Sequence, residues 1–134
     1  MNIQKVMVIG AGQMGSGIAQ VCAQAGFDVK LNDREQQFYE RGIQTITKNL
    51  SRNVEKGRMT EDEKQAVLNK ITMSLSIEDA NDVDIVIEAA VENMEIKQSI
   101  FKQLDEITPA HTILATNTFR IFMRCCLLFL ELRS

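Results

Sequence analysis

Gly10, Gly12 and Gly15 follow the apolar run Val6-Met7-Val8-Ile9 at the spacing Gly-x-Gly-x-x-Gly, with Asp33 eighteen positions beyond the last of them. Residues of these types at this spacing can hold a dinucleotide. The first glycine permits a tight turn, and the second lets backbone approach a diphosphate. The third lets a following helix lie close to its strand. Helix N-terminal amides at Gln13 and Met14, with Ala11 in the loop, would face the phosphates. A carboxylate at Asp33 would bind both ribose hydroxyls and repel a 2′-phosphate, which favours NAD over NADP.

The glycine motif is informative only in context, and the flanking residues supply it. Residues 3–9 read as a strand, and Ile18, Val21, Cys22 and Ala25 form an i, i+3, i+4, i+7 stripe over a helix at 13–25. Gly26 stands where a helix cap belongs, and 28–32 reads as a second strand. This predicts a right-handed strand–helix–strand unit opening a Rossmann-type parallel sheet.

Thirty-seven residues, 34–70, then separate this unit from the next strand, where about a dozen would suffice. Tyr39, Ile43, Ile46, Leu50 and Val54 predict a helix of about five turns ended by Gly57. Thr60-Glu61-Asp62-Glu63 reads as a capping box for a shorter helix to about Asn69. The expected outcome is a helical hairpin inserted between strands two and three. Arg41, Lys48, Arg52 and Lys56 share the opposite face of the long helix, either as a solvated row or as a seat for an anionic ligand tail.

Ile71, Met73 and Leu75 alternate with Thr72, Ser74 and Ser76, as in a strand with one polar face near a sheet edge. Glu78, Asp79, Asp82 and Asp84 fill the following connection. Ile85-Val86-Ile87 reads as a buried parallel strand, with Glu88 and Glu92 at its ligand-facing end. Asn93 can cap a helix whose Ile96, Ile100, Leu104 and Ile107 stripe is expected to face inward, with Phe101 beside it, and Pro109 marks its end. Residues 112–115 read as a further strand, leaving through Thr116-Asn117-Thr118.

Composition bounds the remaining possibilities. At 134 residues with net charge −3, the chain has the length of one domain and no basic surplus to favour nucleic acid or an anionic membrane. The longest late apolar run, 125–130, is too short to span a bilayer. The first residues lead directly into a strand, which predicts no secretory leader. Three cysteines suggest reduced thiols and a cytoplasmic setting. No residue is assigned to a metal.

The stretch Gly10-Ala11-Gly12-Gln13-Met14-Gly15-Ser16-Gly17-Ile18-Ala19-Gln20 with Asp33 resembles the opening of the 3-hydroxyacyl-CoA dehydrogenases. Ile87-Glu88-Ala89-Ala90-Val91-Glu92-Asn93-Met94 and Ile113-Leu114-Ala115-Thr116-Asn117-Thr118 are similar to the same family. Within it, the bacterial 3-hydroxybutyryl-CoA dehydrogenases look most alike. The likeness is collinear over about residues 1–118 and includes the hairpin.

The resemblance implies an NAD-dependent oxidoreductase that interconverts 3-hydroxyacyl-CoA and 3-oxoacyl-CoA in fatty-acid and butanoate metabolism. Loop 10–15 would hold the diphosphate and Asp33 the adenosine ribose. Glu92, Lys97 and Asn117 would border the nicotinamide half. The hairpin would receive part of the CoA, making Lys48, Arg52 and Lys56 a seat for its phosphates. Relatives of the 3-hydroxyisobutyrate and 6-phosphogluconate dehydrogenase type share the glycine loop but lack the hairpin.

Departures follow residue 118. The family's substrate-contacting serine position is occupied by Phe119, with Arg120 after it. Its catalytic His–Glu pair would lie beyond this chain's last strand. His111, the chain's one histidine, reads as a solvent-exposed loop residue. Residues 119–134 are apolar at eleven of sixteen positions, resemble nothing in the family, and read as an out-of-frame tail. The 134 residues are therefore expected to form a truncated, nearly inactive version without the family's helical, dimerising domain. The alternatives are a non-catalytic NAD-binding module and an unstable fragment.

Overall fold

A computed structural model describes residues 3–89 and 94–116. Its centre is a five-stranded parallel sheet: β1 (Lys5–Ile9), β2 (Asp28–Asn32), β3 (Ile71–Ser74), β4 (Ile85–Glu88) and β5 (Ile113–Thr116), in the spatial order β3-β2-β1-β4-β5. The chain leaves β1 towards β2 and β3 on one side, then crosses back to β4 and β5 on the other. The ends of β1 and β4 thus flank the point where strand order reverses, where open parallel sheets leave a ligand crevice.

Strand periodicity sorts the core into two layers. Val6 and Val8 point to one face of β1, while Met7 and Ile9 point to the other. The first face packs with Val29, Leu31, Ala19 and Ala23 under α1 (Gln13–Gln24), and with Ile46 and Leu50 of α2 (Gln36–Glu55). The second packs with Val86, Leu114, Phe101 and Leu104 under α4 (Met94–Ile107). A 3-10 helix, Ile77–Asp82, contributes Ala80 to this layer from the stretch read as an acidic connection.

The hairpin forms as expected, from α2 and α3 (Glu61–Asn69). Its capping box is reciprocal: Glu63 N–H donates to Thr60 Oγ1 at 3.1 Å, and Thr60 N–H donates to Glu63 Oε1 at 3.2 Å. The first strand begins at Lys5 rather than residue 3, where pairing with β2 begins.

Two expected faces are corrected. On β3, Ile71 is buried, but Met73 is 44% exposed, and Leu75 just past the strand is 47% exposed. Ser74 is buried instead, because its hydroxyl accepts from Asn32 Nδ2 at 3.0 Å and donates to the Asp79 carboxylate at 2.8 Å. A polar link between neighbouring strands thus overrides simple alternation at the sheet edge. On α4, the fully buried residues are Lys97, Phe101 and Leu104; Ile100 packs against them as expected, and Ile96 does not. Ile96 is 52% exposed. A lysine at a core position breaks the apolar pattern, and its burial follows from a partner on β4.

Candidate functional site

The glycine loop leaves β1 as its pattern requires. Gly10 adopts φ +106°, a left-handed conformation costly for a residue with Cβ, and its N–H donates to Asn32 O at 2.7 Å. A Cβ on Gly15 would stand 1.6 Å from Gly10 O, so the close seating of α1 on the loop requires glycine there. At Gly12 the reverse holds: a Cβ would meet nothing within 4 Å, leaving open space beside the backbone. Gly12 caps α1 without a side-chain hydrogen bond, and no acidic residue lies in the first turn. The helix end therefore keeps its partial positive charge for an anion.

Asp33 sits beside this loop at the end of β2. Its Oδ2 accepts from Ala11 N–H at 2.8 Å and its Oδ1 from Arg34 N–H at 2.7 Å. Each carboxylate oxygen has a further lone pair, so the group is oriented and can still accept from a sugar hydroxyl. Gly10–Met14 and Asp33 line one cleft of about 1380 Å³, larger than the roughly 300–1,000 Å³ typical of compact ligands. Leu75, Ile96 and Ile100 supply apolar wall. A long ligand with a diphosphate in its middle fits this shape and donor set.

The family model "3-hydroxyacyl-CoA dehydrogenase, NAD binding domain" matches residues 5–125. This chain belongs to that family. The probable 3-hydroxybutyryl-CoA dehydrogenase of Bacillus subtilis is 52% identical over 118 residues, which are 88% of this chain and 41% of that protein. A glyoxysomal fatty acid beta-oxidation multifunctional protein of Brassica napus is 41% identical over 120 residues, 90% of this chain and 17% of its own length. The solved (S)-3-hydroxybutyryl-CoA dehydrogenase of Ralstonia eutropha superposes with a TM-score of 0.90 at 38% identity, covering 96% of this chain and 45% of that one. The chain thus spans less than half the length of these dehydrogenases. The family match also continues past residue 118, where the sequence reading set a tail apart.

For a 3-hydroxyacyl-CoA dehydrogenase NAD-binding domain, the residues of the cleft fit the dinucleotide: bare backbone at Gly12, a helix end without a side-chain cap, and an oriented carboxylate at Asp33. Other expected site residues divide. Glu92, Asn117 and Phe119 lie outside the described residues. Lys97 does not line the cleft: its side chain is fully buried, with Nζ 3.3 Å from Glu88 Oε2, and Thr116 Oγ1 donates to that same oxygen at 2.9 Å. The pair joins α4 to β4 and, through Thr116, to β5. Burial of an ammonium requires such a partner.

Lys48, Arg52 and Lys56 are exposed on α2. Arg41 stands apart from them, lining the cleft, because the others lie roughly 10–22 Å further along the helix axis. His111 is exposed in the turn before β5, as expected, and its Nε2 lies 2.8 Å from Asp84 Oδ1. Asp84 also accepts the N–H groups of Gln4 and Lys5, which hold its carboxyl down at about 2. These groups sit where β1 and β4 begin, about 16 Å from the glycine loop by strand rise.

Sequence reasoning missed Gly42 on α2. A Cβ there would meet Ala11 O and Ser16 Oγ, each at 2.8 Å. The available signal was a glycine in the interior of a strongly periodic helix, which has a cost that packing must offset.

Proposed function

We propose that the chain is the dinucleotide-binding part of an NAD-dependent 3-hydroxyacyl-CoA dehydrogenase, one acting on short chains such as 3-hydroxybutyryl-CoA. The reaction interconverts a 3-hydroxyacyl-CoA and a 3-oxoacyl-CoA in fatty-acid and butanoate metabolism. NAD, when bound, supplies the hydride acceptor, and the protein supplies position and charge. The carrying observation is Asp33, its carboxylate fixed by Ala11 N–H beside the open backbone at Gly12. Loop 10–15 holds the diphosphate, Asp33 the adenosine ribose, and Glu92 and Asn117 border the nicotinamide. Lys97 borders it with them, its ammonium held by Glu88. Lys48, Arg52 and Lys56 attract the phosphates of CoA.

Taken alone, the 134 residues turn over slowly. Proton transfer at the substrate oxygen needs a histidine held by a carboxylate, and His111 is paired to Asp84 at the far end of the sheet. Phe119 offers no hydroxyl where relatives place a serine. Pairing into dimers belongs to the part of the relatives this chain does not span. No described helix is long and apolar enough to cross a membrane, and a cytoplasmic setting accords with the reading.

Reduction of acetoacetyl-CoA by NADH, followed as loss of NADH absorbance, tests the catalytic part. The purified chain should show a rate near background. Sustained turnover would contradict the assignment of proton transfer to residues outside it.

A further inference from the structure

Gly42 lies in the interior of α2, where alanine would favour the helix and glycine does not. A Cβ at this position would stand 2.8 Å from Ala11 O, 2.8 Å from Ser16 Oγ and 3.2 Å from Ala11 Cβ. The first of these neighbours is backbone, so it cannot swing aside as the tip of a long side chain would. It is also the peptide segment on which the cofactor loop is built. Ala11 N–H donates to Asp33, and Ala11 O accepts from Ser16 Oγ at 2.9 Å. Helix α2 therefore presses, through a residue without a side chain, on the link between the diphosphate loop and the ribose carboxylate.

We propose that Gly42 is a positioning residue for the dinucleotide: its bare Cα sets how closely α2 approaches Ala11, and so fixes the loop and Asp33 relative to each other. The proposal rests on the cofactor reading above and extends it to a helix that does not belong to the glycine motif. Any side chain at 42 must push Ala11 by several tenths of an ångström. A misplacement of about 1 Å can cost a positioned reaction about a hundredfold in rate, and shifts of tenths of an ångström here fall on the loop that would meet the diphosphate.

The test uses the full chain. Gly42→Ala should raise the NAD dissociation constant about tenfold or more in calorimetry. It should also speed amide hydrogen exchange at Ala11 by about the same factor. Ile46→Val trims the fully buried core face of the same helix. It should lower the thermal midpoint while leaving NAD affinity within about twofold.

Should Gly42→Ala fail to fold, Ser16→Ala removes the hydroxyl from Ala11 O with Gly42 intact, and should weaken NAD about fivefold. The proposal is overturned if Gly42→Ala changes neither NAD affinity nor exchange at Ala11. It is equally overturned if Ile46→Val weakens NAD as much, or if Ser16→Ala has no effect where Gly42→Ala cannot be made. A wild-type chain that binds no NAD would overturn the cofactor reading instead. Exchange at Ala11 would still decide what Gly42 holds.

Discussion

The two ends of the sheet are built on opposite rules. Where β1 and β4 begin, charged groups satisfy one another. Asp84 takes two backbone amides and His111, while Asp82 binds Lys5 at 3.0 Å and Lys30 at 2.7 Å. Where the same strands end, side chains are withdrawn. Gly12 faces open space, the end of α1 carries no side-chain cap, and Asp33 is held by backbone with acceptor capacity left over. One end pairs its polar groups with one another at the surface, and the other holds them in place for a ligand. Near the ligand-facing end, Lys97 and Glu88 support the sheet as a buried pair between α4 and β4.

The largest expected effect comes from that support. Lys97→Met would leave Glu88 buried with its cationic partner gone, a loss of about 3–5 kcal/mol. Urea denaturation should report it, and a change below about 1 kcal/mol would mean that the pair is not the tie described here. Gly15→Ala comes next. With Cβ 1.6 Å from Gly10 O, α1 must lift from the loop, at a cost towards the upper end of the roughly 1–3 kcal/mol of ordinary overpacking. NAD binding should be lost even under conditions where the chain remains folded.

The closed end predicts an acid limb. The Gln4 and Lys5 amides, with His111, hold the Asp84 carboxyl down at about 2. A depressed carboxyl contributes stability above its ordinary value near 4 and loses it as pH falls towards 2. Wild-type urea midpoints should therefore fall through that window, and Asp84→Asn should show a lower midpoint at neutral pH with a shallower acid decline. Unchanged slopes would contradict the clamp. The smallest effect is expected on the hairpin: replacing Lys48, Arg52 and Lys56 together by Ala should weaken CoA binding only several-fold, and less at high salt.

Much of the open end was legible in the sequence, because backbone freedom is written in residue type. Gly10 turns the chain and Gly15 seats α1 as their spacing implied, Asp33 stands beside that loop, and Thr60 with Glu63 formed the expected cap. What depended on a distant partner was not legible. Lys97 could be placed in the core only once Glu88 was known to stand opposite it, and this shifted the buried face of α4 away from Ile96. Ser74 displaced Met73 from the interior for the same kind of reason, through Asn32 and Asp79. Asp84, read as one of several loop acids, became a clamp only when residues eighty positions earlier in the chain came alongside.

The most direct test is calorimetric titration of the folded chain with NAD and then with NADP, in the wild type and in Asp33→Asn. Saturable binding of NAD, markedly weaker binding of its 2′-phosphorylated form, and a narrowed difference in the variant are the predicted results. A wild-type chain that binds neither dinucleotide, or both equally, would contradict the account.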